Sequence, residues 1–374
     1  MSKQATALQP LTGYTRRRWS ALAVATALGA CGVMAASNAV MASTDTTEPA
    51  SDATAPAATE AEGTAAEATT AGVSLPAGAG EGIEIAFIQG VIGDEFYVSM
   101  ECGVQDAAAE LGATVTVQGP EKFQAPLQNP IIDAVVASGP DAILVAPNDV
   151  EASVGPLQRA QDAGIKVVLV DTVVDDPSIG VSRIASDNVL GGNMAADALA
   201  ELIGEEGTVM VISTDPGVST VDQRQQGFEE QIATYPNIEY TGTEFSHNEP
   251  ATAAEIITAA LAANPDLNGV FATNLFSAQG TATGIVQAGA QDTVSVVGFD
   301  AGPAQVEQLQ AGDVQALVVQ KPYDIGYQGV YQAVAAVLGE EVTPEISTGY
   351  VVATADNLDD PEISKYLYKS ECDS

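Results

Sequence analysis

From Ile83 onward the chain alternates two kinds of apolar pattern. Short runs, apolar at nearly every position and rich in β-branched residues, recur along it: IEIAFIQ (83–89), AILVAPN (142–148), IKVVLVD (165–171), LNGVFATN (267–274) and TVSVVGFD (293–300). Runs of this kind read as strands buried on both faces, as in parallel sheets. Each stops at a carboxamide or a carboxylate, so the polar groups collect at strand exits. Between them lie stretches with helical spacing, at 98–111, 126–137, 153–163, 192–203, 221–235, 252–263, 277–288, 303–311 and 325–338. Asp94, Asn188 and Ser277 stand where helix caps are expected. Regular alternation of strand and helix predicts an α/β fold with a doubly wound parallel sheet, formed twice over.

The repetition is visible in the numbering. Gly82 and Gly207 lie 125 residues apart, as do Pro140 and Pro265, while Asn148 and Asn274 are separated by 126 and Asp171 and Asp300 by 129. Constant spacing between counterparts marks an internal duplication. Ligands of open parallel sheets bind beyond the carboxyl ends of the strands. Two such units facing each other therefore point Asp171, Asn274 and Asp300 into one cleft.

Composition narrows the partners. The chain has 374 residues, 46% of them hydrophobic, enough for two or three domains with real cores. Its net charge is −38, with only 12 Lys and Arg, which excludes nucleic acid as a partner. The acidity reads as solubility in a salty medium.

The N-terminus reads as an export signal. Lys3 and Arg16–Arg18 precede the apolar run WSALAVATALGA, which is too short to span a bilayer. Thr15-Arg16-Arg17 with Trp19 weakly suggests the twin-arginine route. Leu28-Gly29-Ala30-Cys31 resembles a bacterial lipobox, giving a signal peptide over 1–30 and a lipidated Cys31. Ordinary cleavage after Val40-Met41-Ala42 and an uncleaved anchor are the alternatives, and all three place the protein outside the cytoplasm. Residues 31–82 then form an acidic low-complexity tether of Ala, Thr, Glu, Pro and Gly.

Catalytic chemistry finds little support. Asp171 and Asp300 could be an acid–base pair, but nothing in the sequence marks one of them with a raised pKa. His247, the sole histidine, lies in the polar loop FSHNEP, and there is no metal-ligand cluster, P-loop or nucleophile elbow. The expectation is therefore no catalytic residue, no metal and no cofactor. Phe96 and Tyr97 open a helix just after the first strand, where an aromatic face can stack on a sugar ring.

Over 83–355 the chain resembles the ribose-binding-like family of periplasmic sugar-binding proteins, the solute receptors of monosaccharide ABC importers. The motifs that carry the resemblance are DEFY (94–97), IASDNVLGG (184–192), DQRQQGF (222–228), VFATN (270–274), VVGFD (296–300) and VVQKPYDIG (318–326). It implies two lobes joined by a three-strand hinge, with the ligand cleft between them. The N-terminal lobe would combine 83–186 with 321–346, and the C-terminal lobe 187–320 with 347–374. It also implies a ligand set of Asp94, Phe96, Tyr97, Asp171, Asp222, Asn248, Asn274, Phe299, Asp300 and Gln320. Phe96, Tyr97 and Phe299 would contact the ring, and Asp171, Asn274, Asp300 and Gln320 its hydroxyls. Asn248 stands where ribose receptors have a third stacking aromatic, while Thr172 and Asp222 replace two of their arginines. Those losses argue against ribose and leave a monosaccharide or polyol. The function implied is a monomeric receptor, held to the membrane only by its lipid, that delivers sugar to a permease and its ATPase. A secreted sugar-active enzyme using Asp171 and Asp300, or a sensor for a signalling receptor, is the alternative.

Lipidation of Cys31 would leave Cys102 and Cys372 as an even pair. A bridge between them requires the tail 361–374 to return to the N-terminal lobe, and two independent thiols are the alternative.

Overall fold

A computed structural model describes residues 73–372. Its first half runs β1 (Glu84–Ile88), α1 (Glu95–Leu111), β2 (Thr114–Gln118), α2 (Ala125–Ser138), β3 (Ala142–Val145), α3 (Val154–Asp162), β4 (Lys166–Val170) and β5 (Ser182–Ser186). The second half runs α4 (Asn188–Leu202), β6 (Glu206–Ser213), α5 (Ser219–Ile232), β7 (Asn237–Phe245), α6 (Pro250–Ala263), β8 (Leu267–Ala272), α7 (Leu275–Ala288), β9 (Ser295–Phe299), α8 (Pro303–Ala311) and β10 (Ala316–Val319). The chain ends with α9 (Pro322–Leu338), β11 (Glu345–Thr348), β12 (Val351–Ala353) and α10 (Pro361–Ser364).

Two six-stranded sheets share one strand order, β2-β1-β3-β4-β5-β11 and β7-β6-β8-β9-β10-β12. The order places β1 against β6 and β4 against β9 as counterparts, which is the duplication read from the spacings. All pairings are parallel except one: β12 runs antiparallel to β10, with Val318 opposite Val352. The second sheet is therefore mixed at its edge, a departure from the expected all-parallel pattern. It arises because β12 follows β11 after a two-residue step and enters its sheet from the hinge side.

Burial explains the apolar runs. Ile143 and Val145 of β3 face Ile132, Val135, Leu157 and Ala160 of α2 and α3. Leu144 of the same strand joins Val168 and Val170 under α1 and α9. Covering both faces removes each branched side chain from water, worth about 1.5–3 kcal/mol apiece.

The chain passes between the sheets three times, after β5, after β10 and between β11 and β12. The helix that follows the first passage packs tightly on α5. A Cβ on Gly192 would meet the Arg224 carbonyl at 2.1 Å, and one on Gly227 the Val189 carbonyl at 2.0 Å. The two glycines let the backbones touch, and so fix where Arg224 leaves α5.

Several local expectations change. Asp94 caps α1 through the Phe96 amide, as expected. The cap of α4 is Asp187, which accepts from the Leu190 amide, and not Asn188. Likewise Asn274, and not Ser277, caps α7. Ordered structure also begins before Ile83, since the Gly78 and Gly80 amides bond the carbonyls of Glu110 and Leu111. The glycine-rich run packs on the end of α1 because that helix leaves its last carbonyls unpaired. The signal segment 1–30, Cys31 and the tether up to 72 lie outside the described residues.

The tail does not stop with the second sheet. Beyond α10 the Lys369 amide bonds Ser99 Oγ on α1, and Cys372 is joined to Cys102 with a Cα–Cα distance of 5.3 Å.

Candidate functional site

The carboxyl ends of both sheets open onto one cavity between the lobes. It is lined by Asp94, Phe96, Tyr97, Phe123 and Asp171 from the first lobe. Thr214, Val218, Thr220, Val221, Arg224, Asn248, Asn274, Asp300 and Gln320 complete it. The space between these side chains is about 400 Å³. The lobes touch around it: Lys122 pairs with Glu249 at 2.6 Å, and the Val150 amide bonds the Gly217 carbonyl at 3.0 Å. A polymer could not enter without parting them.

Asp171 and Asp300 follow β4 and β9 at the same turn, both with left-handed backbone (φ 65° and 75°). That conformation is uncommon outside glycine and tolerated by aspartate, and it turns each carboxylate off the strand axis into the cleft. Tyr97 donates its hydroxyl to Asp171 Oδ2 at 2.8 Å. Asp300 holds more donors: the Leu275 amide on Oδ2 at 2.9 Å, and Gln320 Nε2 and the Tyr368 hydroxyl on Oδ1 at 2.7 and 2.8 Å.

Burial pushes the Asp171 carboxyl up to about 6, against the opposing pull of Arg224 and of the Tyr97 hydrogen bond. Asp94 is raised well above the usual carboxylate range, first by burial and then by the nearby Asp300 charge. Burial and the Asp171 charge likewise hold the Tyr97 phenol protonated, so it remains a donor.

Arg224 is the cation among these acids and is 2% exposed. Its Nε donates to Asn188 Oδ1, its Nη1 donates to the Thr273 carbonyl, and its guanidinium lies 3.9 Å above the Phe299 ring. Nη2 is buried without a partner among the described residues, as are Thr214 Oγ1 and Gln320 Oε1. Unpaired buried groups of this kind cost about 1–3 kcal/mol each. A hydroxylated molecule in the cavity would supply the missing bonds.

Eight of the ten residues expected at the ligand line this cavity: Asp94, Phe96, Tyr97, Asp171, Asn248, Asn274, Asp300 and Gln320. Phe96 and Tyr97 meet edge to face, with centroids 5.1 Å apart. Asn274 spends its Nδ2 on Asn248 and its Oδ1 on the Ser277 amide. Two expectations are corrected. Phe299 is fully buried, packed between Phe271 and Tyr350 with Arg224 over its face, so it supports the guanidinium from beneath. Asp222 lies outside the cavity, where its carboxylate accepts from the Gly217 amide.

Sequence reasoning missed Phe123, Thr214, Val218, Thr220 and Val221, which lie in loops or at a helix start where no periodicity marks them. Arg224 lies in the DQRQQGF motif but was not counted in the site; it is the one arginine of α5. Tyr368 went unnoticed because nothing local distinguishes one tail tyrosine from another.

A two-lobed α/β protein with a polar, aromatic-walled cavity between its sheets belongs to the class of solute-binding proteins. Residues 85–341 match the family model described as a periplasmic binding protein domain, and the chain belongs to that family. It is 30% identical over 262 residues to a ribose import binding protein of Escherichia coli, covering 69% of this chain and 86% of that one. A D-allose-binding periplasmic protein of the same organism is 27% identical, over 74% of this chain and 91% of the relative. Among solved structures, an ABC transporter solute-binding protein of Agrobacterium vitis bound with α-D-tagatopyranose superposes with TM-score 0.76 and 42% identity. It covers 77% of this chain and 99% of the other. A second from that organism, with bound D-fucose, gives 0.74 and 32%, over 76% and 100%. The chain is thus an extracytoplasmic solute-binding protein of the kind that serves ABC importers, and not an enzyme. No helix among the described residues is long and apolar enough to cross a membrane.

Proposed function

We propose that the cavity holds one monosaccharide or polyol, and that its capture closes the lobes and presents the loaded receptor to a permease and its ATPase. The observation that carries this reading is the convergence of Asp171, Asp300 and the unpartnered Arg224 Nη2 beside Phe96, Tyr97 and Phe123. Planar fork donors and carboxylates bond hydroxyls, and aromatic edges and faces take the C–H surface of a sugar ring.

The moving bodies are residues 83–186 with 321–346, and 187–320 with 347–360, while the tail from 361 is tied to the first lobe through Cys372 and Cys102. Contacts made by both lobes exist only when they are closed, so the ligand shifts the population toward closure. Ribose is disfavoured: Thr172 turns away to bond the Pro147 carbonyl, and Asp222 is spent on Gly217, where a ribose receptor has two arginines. The bound sugars of the two Agrobacterium vitis relatives support a monosaccharide other than ribose.

Calorimetric titration with pentoses, hexoses, ketohexoses, deoxysugars and inositol tests the reading. One of them should bind, and at ~100 times its dissociation constant it should add about 2.7 kcal/mol of stability. If none binds, the sugar assignment is overturned.

The receptor works as a monomer held to the membrane by a lipid on Cys31, a reading supported by the Leu28-Gly29-Ala30-Cys31 motif. Cys31→Ala should move it from the membrane fraction to the soluble one. Retention on the membrane would refute the anchor.

A further inference from the structure

We infer that the C-terminal tail is part of the binding site, with Tyr368 a positioning residue that sets which face of Asp300 a sugar can use. This rests on the sugar reading of the cavity. Tyr368 is 5% exposed, and it is fastened at three points. Its amide bonds the Ala301 carbonyl, its hydroxyl donates to Asp300 Oδ1, and its ring packs edge to face on Phe96 at 5.8 Å. One side chain thus backs an aromatic wall of the first lobe and a carboxylate of the second.

The consequence lies in acceptor counting. A carboxylate offers about four acceptor positions. Leu275, Gln320 and Tyr368 occupy three of them on Asp300, both of those on Oδ1 and one on Oδ2. The position left for a ligand hydroxyl is on Oδ2, in a fixed direction. Asp300 therefore discriminates the configuration at one sugar carbon. Without Tyr368 a second position opens on Oδ1, and that discrimination weakens.

The disulfide keeps Tyr368 in place. Lys369, Ser370 and Glu371 alone separate it from Cys372, which is bonded to Cys102 on α1. Four residue steps span at most about 14 Å, so the bridge confines the tyrosine to the neighbourhood of Asp300. The Lys369 amide on Ser99 and the Lys321 ammonium 4.6 Å over Tyr366 add weaker ties. A dithiol reductant delivers two electrons and two protons to the bridge, leaves two thiols, and is itself oxidised to a disulfide. The tail is then held by the weaker ties alone.

Calorimetry on the full chain tests this with the best-binding sugar of the panel and its epimers. Wild type, Tyr368→Phe and Cys372→Ser are compared, each with its thermal midpoint. Tyr368→Phe keeps the ring on Phe96 and should weaken the preferred sugar about fivefold while lowering the ratio between that sugar and one epimer at least threefold. A merely structural tyrosine would scale all sugars alike. Dithiol treatment should lower the same ratio in wild type and leave Tyr368→Phe unchanged. Wild-type affinity and selectivity in Tyr368→Phe would overturn the inference and leave the sugar reading intact. Failure of wild type to bind any sugar would overturn both.

Discussion

Asp171 and Asp300 occupy the same station in two copies of one unit, yet the protein treats them differently. Both follow a central strand, both have positive φ, and both accept a tyrosine hydroxyl at 2.8 Å. Tyr97 reaches Asp171 from α1 of the same lobe, 74 residues earlier in the chain. Tyr368 reaches Asp300 from the far end of the chain. Asp300 also takes bonds from Leu275 and Gln320, whereas Tyr97 is the sole donor to the Asp171 carboxylate among the described residues. Duplication thus supplied the position of each acid, and the neighbours each meets in the folded chain decide how much of it stays free. The difference gives Asp171 the larger share of open acceptor positions and Asp300 the more rigid geometry.

The largest effect should appear with pH and concerns Asp171. With its carboxyl held up to about 6 in the folded protein, Asp171 is protonated in both states below about pH 4 and costs nothing there. Between about pH 4 and 6 the unfolded chain loses this proton first, so the stability contributed by the neutral form falls as pH rises. The loss is on the order of 3 kcal/mol and is complete above pH 6. Unfolding in urea across that range should show this slope in wild type and a shallower one in Asp171→Asn, the remainder coming from Asp94, whose carboxyl is raised as well. An equal slope in both would remove Asp171 as its source.

A smaller effect should come from exchanging each acid for its amide at pH 7. Asp300→Asn weakens three bonds and should lose about 2 kcal/mol of stability and more than tenfold in sugar affinity, since hydrogen bonds to charged groups are worth about 1.5–3 kcal/mol each. Asp171→Asn should bind as weakly yet keep or gain stability, because it removes a charge whose burial is unfavourable. Calorimetric titration and thermal melting decide it. Equal stability losses would break the distinction between a rigid and an open acid.

What could be read before the structure, and what could not, divides along the same line. Strands such as IKVVLVD and TVSVVGFD announce themselves, because burial on both faces demands an unbroken apolar run. The polar residues that end three of the runs, Asp171, Asn274 and Asp300, line the cavity. Spacing of 125 to 129 residues exposed the duplication, and the matching motifs pointed to eight of the residues that line the cavity. Helix starts were less legible: Asp187 and Asn188, or Asn274 and Ser277, are all competent caps, and only backbone geometry chooses between them.

Side-chain roles needed the tertiary structure. Phe299 and Asp222 sit in motifs that suggest ligand contact, but the direction of a side chain depends on neighbours distant in sequence. Phe299 is drawn under Arg224, and Asp222 is captured by the Gly217 amide. Phe123 and Tyr368 carry no local signal, since they reach the site through a loop and a tail whose paths are set by packing and by the Cys102–Cys372 bridge. The sequence by itself determined the alternating elements, the doubled unit and the acids at its strand ends, because short-range periodicity encodes burial. Only the folded chain decided which donors those acids meet, because a hydrogen bond between Asp300 and Tyr368 joins positions 68 apart in the chain, which no local pattern records.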